Sequence, residues 1–196
     1  LALHLEQFKR WYSQAGTPRL QARSEFNAAN ATFTLTLTQS NNGQPPQVLP
    51  IAMGLLTRDG RALTVQLDND AYLWSATERV LVMTETEQRF TFTGITEDCI
   101  PSLLRGYSAP VQLDDGLADA DLLVLTAHDA DAFNRWEAGQ RLLLSRIRQA
   151  LAADSVVLDE ALANALQALL RDATLAPSFK ALALTLPSEG YVAEQV

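Results

Sequence analysis

The side chains that could carry out chemistry are few in this chain and far apart. Its two histidines are His4 and His128, and neither has a second histidine four residues away. A zinc site needs at least three converging ligands, and Cys99 is the single cysteine. Because Asp98 disfavours a thiolate beside it, we interpret Cys99 as a structural thiol. The sequence therefore predicts no catalytic, cofactor-binding or metal-binding residue.

Four aspartates lie close together in one segment and are the densest group of possible cation ligands. They are Asp114, Asp115, Asp119 and Asp121. A calcium loop requires a defined spacing with a glycine and a terminal glutamate, and this segment does not match it. Acidic side chains also favour the first turn of a helix, so we interpret the group as a charged linker. The chain contains no nucleophile elbow, phosphate-binding loop or dinucleotide-binding fingerprint.

Composition and charge exclude several classes of protein. The 196 residues are 47% hydrophobic and carry a net charge of −8, which indicates a folded globular chain. The acidity argues against nucleic-acid binding, and no apolar run is long enough to cross a membrane. One cysteine excludes an internal disulfide framework. We therefore expect a cytoplasmic protein with no nucleic-acid or membrane partner.

The elements that must position any site fall into two segments of different composition. Residues 1–110 carry 9 basic and 10 acidic residues, whereas residues 111–196 carry 6 basic and 13 acidic residues. Threonine, valine and aromatic residues give way to alanine and leucine at the same place, which indicates a domain boundary. The chain also starts without Met inside a helical pattern, so we interpret it as a piece of a longer protein. The predicted domains are a short helix in 1–17, a β-sandwich in 18–113 and helices in 114–196.

Alternating hydrophobicity in the first segment predicts an antiparallel β-sandwich. Phe33, Leu35 and Leu37 share one face of a strand whose other face carries threonines, which is typical of a half-buried strand. About seven short strands at close spacing, with no helix between them, complete the pattern. The predicted strands are 19–27, 31–39, 48–57, 62–67, 79–84, 89–94, 103–107 and 111–113. We expect hairpins within the pair 19–27 and 31–39 and within the pair 79–84 and 89–94.

Helical spacing in the second segment predicts an antiparallel α-helical array, which makes the fold class α+β. The predicted helices are 117–128, 131–153, 159–172 and one beginning near Pro177. Asp131 is the expected N-cap of the longest helix. Its predicted core stripe consists of Phe133, Trp136, Gln140, Leu143, Leu144, Ile147 and Leu151.

Four segments are distinctive enough to indicate a family. They are Phe8–Pro18, Pro101–Val111, Phe133–Gln140 and Leu184–Glu189. In order and spacing they resemble the bacterial aminopeptidase N family, which are zinc gluzincin metallopeptidases. The resemblance covers the whole chain. It implies a fragment with an immunoglobulin-like β-sandwich and the first helices of the C-terminal helical domain, preceded by a helix from the end of the catalytic domain.

The motifs that carry catalysis in that family are missing from this chain. The family binds zinc through His-Glu-x-x-His and a later glutamate, and it holds the substrate amino terminus with a Gly-Ala-Met-Glu-Asn segment. The resemblance therefore implies a zinc aminopeptidase as the parent, with peptide substrates, and an inactive scaffold and active-site-gating segment here. Its implied partners are the upstream catalytic domain and the remaining C-terminal helices. The alternative is a free-standing β-sandwich module that binds a protein or carbohydrate.

The large aromatic residues are the expected structural anchors. Trp11, Trp74 and Trp136 could be binding platforms, but a tryptophan removes so much apolar area from water that packing is favoured. We predict that Trp11 and Tyr12 tie the preceding helix to the sandwich. Trp136 is predicted to tie the sandwich to the helical array.

Overall fold

A computed structural model describes residues 5–68, 76–157 and 159–195 of the chain. These residues divide into two compact units. The first unit extends to Thr57 and then from Ala62 to Gly116. The second unit contains the loop Arg58–Arg61 and the chain from Leu117 onward.

The first unit is a β-sandwich that two very short helices precede. The helices are α1 (Leu5–Phe8) and α2 (Arg10–Ser13). The strands are β1 (Arg19–Asn27), β2 (Thr32–Ser40), β3 (Leu49–Thr57), β4 (Ala62–Leu63), β5 (Arg79–Met83), β6 (Glu87–Thr93), β7 (Cys99–Leu103) and β8 (Gln112–Asp114). One sheet has the order β6-β2-β1-β8, and in the other β3 pairs with β4, β5 and β7. The predicted β-sandwich is thereby confirmed.

The core lies between the sheets and is built as the alternation predicts. Phe33, Leu35 and Leu37 of β2 are fully buried, and Phe33 lies opposite Phe92 of β6. The described pairs are antiparallel except for β1 with β8, which is parallel, with Leu20 opposite Leu113. The last strand of the sandwich therefore returns alongside the first.

The predicted hairpin formed by residues 79–84 and 89–94 is wrong, because its two strands belong to different sheets. β5 pairs with β3, whereas β6 pairs with β2. The buried Gln39 holds the crossing connection: its backbone N–H donates to Thr86 O at 2.8 Å, and its Nε2 donates to Glu85 O at 3.0 Å. Alternation shows which face of a strand is buried but not which sheet the strand joins.

Two other strand predictions also need correction. The predicted strand 103–107 is displaced, since β7 ends at Leu103 and a single 3₁₀ turn covers Arg105–Tyr107. The predicted strand 62–67 is reduced to β4, followed by an isolated bridge between Leu67 and Phe92. Both errors concern short segments, in which few residues are available to show a period.

The second unit is a helical array, as predicted. Its helices are α3 (Asp119–His128), α4 (Ala132–Ala153), α5 (Glu160–Arg171), α6 (Pro177–Ala183) and α7 (Glu189–Gln195). The predicted N-cap is confirmed, because the Asp131 carboxylate accepts a hydrogen bond from Asn134 N at 2.9 Å. Asp159 caps α5 in the same way, accepting from Leu162 N at 3.0 Å.

The core stripe predicted on α4 is not the face that is buried. The buried residues of α4 are Asn134, Arg135, Ala138, Gly139 and Leu142. Small side chains allow a neighbouring helix to come close, and a Cβ at Gly139 would lie 3.6 Å from Thr126 Cγ2 of α3. By contrast, Leu151 of the predicted stripe is 60% exposed. The predicted stripe was based on the large apolar side chains of α4, whereas the residues of α4 that come close to α3 are small.

Candidate functional site

The residue types that could carry out chemistry lie apart from one another in the described structure. No three histidine, cysteine, aspartate or glutamate side chains in these ranges are placed to hold a metal ion. Cys99 is buried in the sandwich core, and His128 is the last residue of α3. His4 lies outside the described residues.

The four clustered aspartates do not converge on one point. Asp114 Oδ2 accepts from Arg23 Nη2 at 3.1 Å in the first unit, and this bond lowers the pKa of Asp114. In the second unit, Asp119 binds Arg146 and Asp121 pairs with Arg58. These three carboxylates are therefore engaged with protein cations, which is the arrangement of a structural surface rather than of a cation site.

The loop Arg58–Arg61 groups with the helices and fixes the position of His128. Gly60 has a φ of +88°, and a Cβ built on it would lie 2.6 Å from both Cβ and Cδ2 of His128. The His128 side chain therefore lies directly on the Gly60 backbone, where only glycine leaves enough space. His128 is otherwise exposed, so its described role is this contact with Gly60.

Trp11 faces the sandwich within the first unit. Its indole is partly buried against the core, and Nε1 donates to Val48 O at 2.9 Å. The loop before Val48 holds the same helices, because Gln14 Nε2 donates to Pro45 O at 3.0 Å and Arg10 donates to Pro46 O. Helices α1 and α2 are therefore attached to the sandwich through side chain to backbone hydrogen bonds.

Tyr12 points away from these contacts. Its side chain is 84% exposed, and it meets the ring of Phe8 edge to face with the centroids 6.4 Å apart. Phe8 is itself 43% exposed. The two aromatic residues form an exposed patch on the short helices, so within this unit Trp11 makes the attachment to the sandwich that Tyr12 does not.

Trp136 lies among the helices of the second unit. It is partly buried, its ring centroid is 5.8 Å from that of Phe133, and it lines a cavity of about 300 Å³. Leu182, Leu186 and Tyr191 line the same cavity, so the indole packs toward α6 and α7. Trp74 lies outside the described residues.

Arg135, which sequence reasoning missed, is the buried cation of the helical unit. It is 3% exposed. Its Nε donates to Thr126 O at 3.2 Å and its Nη2 to Ala127 O at 2.7 Å, at the end of α3. Its Nη1 donates to Asp172 Oδ2 at 2.7 Å, just after α5. One guanidinium therefore joins three helices and satisfies carbonyls that a helix end leaves unpaired.

A second cation bridges helices α3 and α5 from α4. Arg146 donates to Asp119 Oδ2 and to Asp159 Oδ2, each at 2.5 Å. Asp119 and Asp159 raise the pKa of Arg146. The Leu162 N–H and Arg146 lower the pKa of Asp159. Because both acids lie at helix N-termini, their carboxylates also complement the helix dipoles.

Arg105 is the corresponding buried cation of the sandwich and was also missed. It is 4% exposed, donates from Nε to Ser102 Oγ at 3.0 Å, and has Nη1 3.5 Å from Glu78 Oε2. A Cβ built on Gly54 would lie 2.6 Å from its Nη2, so the guanidinium lies flat on the β3 backbone. Arg105 and Arg135 both lie in the distinctive sequence segments that resemble the family. A charged residue inside such a segment was the sequence signal that could have indicated a buried cation.

A cavity in the second unit is open to solvent and has many apolar residues in its lining. It measures about 1000 Å³, and Leu143, Ile147, Leu151, Val156 and Val157 are among the residues that line it. Val156 is 89% and Val157 82% exposed. Exposed apolar area of this kind is typical of a docking surface.

Comparison with known proteins identifies both units. Residues 16–116 match DUF3458, a domain of unknown function with an Ig-like fold. The chain belongs to the DUF3458 family. Residues 119–196 match DUF3458_C, a domain of unknown function described as ARM repeats. The DUF3458 match thus covers the sandwich, and the DUF3458_C match covers the helical array.

Relatives of this DUF3458 chain carry the name aminopeptidase N. The Escherichia coli (strain K12) protein is 32% identical in an alignment 200 residues long that covers 97% of this chain and 22% of that protein. The Caulobacter vibrioides protein is 40% identical in an alignment 192 residues long that covers 94% of this chain and 21% of that protein. The chain therefore spans about a fifth of the length of these relatives, and the resemblance seen in the sequence is confirmed.

A solved structure also matches the DUF3458 chain over nearly its whole length. It is the crystal structure of Legionella pneumophila aminopeptidase A in complex with aspartic acid. The TM-score is 0.82 at 29% identity, over 98% of this chain and 21% of that chain.

Within the described ranges, no helix has the length and apolar character needed to cross a membrane.

Proposed function

We propose that this chain is the non-catalytic scaffold and active-site-gating segment of a zinc aminopeptidase that removes N-terminal residues from peptides. The observation that carries the proposal is similarity to aminopeptidase N along 94–97% of this chain, which matches only 21–22% of those relatives. The sequence contains no His-Glu-x-x-His motif. The zinc and the catalytic groups therefore belong to another part of the parent, which we place in the cytoplasm.

The parent's zinc would polarise the scissile carbonyl and activate water. The described residues of this chain hold no cluster suited to that metal, so its contribution is geometric. Residues 18–113 form the sandwich that spaces the catalytic domain from the helices. Residues 114–196 begin the helical domain that restricts entry to small peptides and unfolded chain ends. Excluding bulk water and folded substrates requires rigid packing rather than reactive side chains.

The upstream partner is the catalytic domain, whose last helix we place in residues 1–17. The exposed ring pair of Phe8 and Tyr12 supports this placement, because the opposite side of the same helices is bound to the sandwich through Trp11. A helix with one face attached and an aromatic face open to solvent is suited to join two domains. Tyr12 would then contact the catalytic domain while Trp11 contacts the sandwich.

The downstream partner is the remainder of the helical domain. ARM-type repeats stack so that each repeat buries the apolar face of its neighbour. Leu151, Val156, Val157 and Leu186 are each at least 60% exposed here, which leaves such a face uncovered. We propose that further helices of the parent cover it.

Gating requires a rigid helical array, and substitution of Arg135 tests this requirement. In the full parent enzyme, Arg135→Ala should loosen the array, whereas Arg148→Ala, an exposed arginine of the same helix, serves as the control. Values of kcat/KM are compared for an alanyl amide and for a long unfolded polypeptide. Gating predicts that the preference for the small substrate falls in Arg135→Ala. An equal loss of activity on both substrates contradicts it.

Absence of catalysis in this chain is tested separately. The purified chain, supplied with zinc, should not hydrolyse an alanyl chromogenic amide. Metal-dependent turnover would place a catalytic centre within these residues. The upstream reading frame gives an independent test, since it should encode a His-Glu-x-x-His helix. A stop codon followed by a signal peptide there would favour a free-standing binding module.

A further inference from the structure

Asn42 and Gly43 form the tip of an exposed turn between β2 and β3. The N–H of Gln44 donates to Asn41 O at 2.8 Å, which closes the turn. The φ values are +48° for Asn42 and +76° for Gly43, and positive φ at both central residues is the type I′ pattern. A Cβ built on Gly43 meets nothing within 4 Å. Solvent therefore reaches the peptide bond that links the two residues.

Two groups at this tip, the Asn42 side-chain amide and the Gly43 N–H, take part in no hydrogen bond with the described residues. The Asn42 Nδ2 lies instead next to Gly16, 3.2 Å from where a Cβ on that glycine would stand. An asparagine side chain followed by a residue without a Cβ meets little steric hindrance as it approaches the next backbone nitrogen.

We propose that Asn42–Gly43 is a site of spontaneous deamidation. Solvent hydroxide removes the proton of the Gly43 N–H, and the nitrogen attacks Asn42 Cγ to form a new C–N bond. The bond from Cγ to the side-chain nitrogen breaks, and ammonia leaves after taking a proton from water. Water then opens the resulting succinimide at either carbonyl, which gives aspartate or isoaspartate. No group is oxidised or reduced, and water and hydroxide are the only co-reactants.

The position of the turn gives the reaction a structural consequence. Pro45, Pro46 and Val48 follow it directly, and their carbonyls accept the hydrogen bonds from Gln14, Arg10 and Trp11 that attach the short helices. Isoaspartate inserts a methylene into the backbone and so lengthens the turn. The modification therefore weakens the attachment of α2 to the sandwich as the protein ages, an effect that goes beyond the scaffold role.

The site is tested by incubating the purified chain in mildly alkaline buffer and following each asparagine by peptide mass mapping. Asn30 is the internal reference, because it is also exposed but is followed by alanine. Asn42 should convert about tenfold faster than Asn30, equivalent to about 1.4 kcal/mol of activation free energy. The Asn42 rate should also rise with pH, since the nucleophile is the deprotonated nitrogen. Equal rates at Asn42 and Asn30 would overturn the proposal.

Two further measurements separate the site from its consequence. Gly43→Ala should slow conversion of Asn42 to the rate of Asn30, and an unchanged rate contradicts the proposed attack by the residue 43 nitrogen. Backbone hydrogen exchange in α2 should be faster in the aged chain than in fresh protein. Asn42→Ala, aged in parallel, should show no such increase, and equal acceleration in that variant would remove the link between the turn and the helix.

Discussion

Arg135 Nη1 lies 2.7 Å from Asp172 Oδ2 and so connects the start of α4 to the end of α5. The same guanidinium also satisfies two carbonyls at the end of α3, so one buried cation joins α3, α4 and the end of α5. The Thr174 hydroxyl and Arg135 both hold the pKa of Asp172 well below its usual range.

Arg135→Ala should lower the free energy of unfolding of the helical unit by about 3 kcal/mol. The substitution leaves the buried Thr126 carbonyl and the partly buried Ala127 carbonyl without this donor, and Asp172 loses its salt-bridge partner. Denaturant unfolding followed by circular dichroism measures the change. Arg148→Ala, an exposed arginine on the same helix, should change stability by less than about 0.5 kcal/mol. Equal effects of the two variants would show that Arg135 does not hold the helices together.

Gly54→Ala should destabilise the sandwich by about 2 kcal/mol or more. The added methyl would overlap the Arg105 guanidinium, which is buried and cannot move away without losing its bond to Ser102. Gly190→Ala is the matched control, since nothing lies within 4 Å of its added Cβ and the residue is helical. That variant should be neutral or more stable by up to about 0.5 kcal/mol. Thermal unfolding of both variants provides the comparison, and an unperturbed Gly54→Ala would contradict the close approach of Arg105.

Trp11→Ala should destabilise this chain, whereas Tyr12→Ala should leave its stability nearly unchanged, although the two residues are adjacent. Trp11 loses buried area and the bond to Val48 O, so the free energy of unfolding should fall by about 2 kcal/mol. Tyr12 is 84% exposed, and its removal should change the stability of this chain by less than about 0.5 kcal/mol. In the full parent enzyme, Tyr12→Ala should become destabilising, as contact with the catalytic domain requires. A silent Tyr12→Ala in the parent would remove the proposed contact.

The helical unit should lose stability as the pH falls. The pKa values of Asp159 and Asp172 are lowered in the folded state from an ordinary value of 3.8. A lowered folded pKa contributes stability that is complete above the unfolded value and is lost as pH falls toward the folded value. Stability should therefore be constant near neutral pH and decline below about pH 4. Asp172→Asn should flatten this decline in a pH series of denaturant unfolding curves, and a parallel curve would exclude Asp172 as a source.

The local sequence pattern was sufficient to predict a strand or a helix start where the signal lies within a few neighbouring residues. The alternation around Phe33, Leu35 and Leu37 predicted a half-buried strand, and the cap at Asp131 predicted a helix start, because these signals act within a few residues. The resemblance of four segments indicated the family. The sequence by itself also showed that the zinc-binding motif of that family is missing.

The tertiary structure alone decided which elements meet. It placed β5 and β6 in different sheets, and it selected Ala138 and Gly139 rather than the large apolar stripe as the close face of α4. It also revealed that Arg105 and Arg135 are buried cations. The amino-acid composition gives only their charge and does not show that they are buried. Sheet membership, helix approach and the partners of a buried charge depend on contacts between residues distant in sequence. Periodicity within one segment therefore contains no information about them.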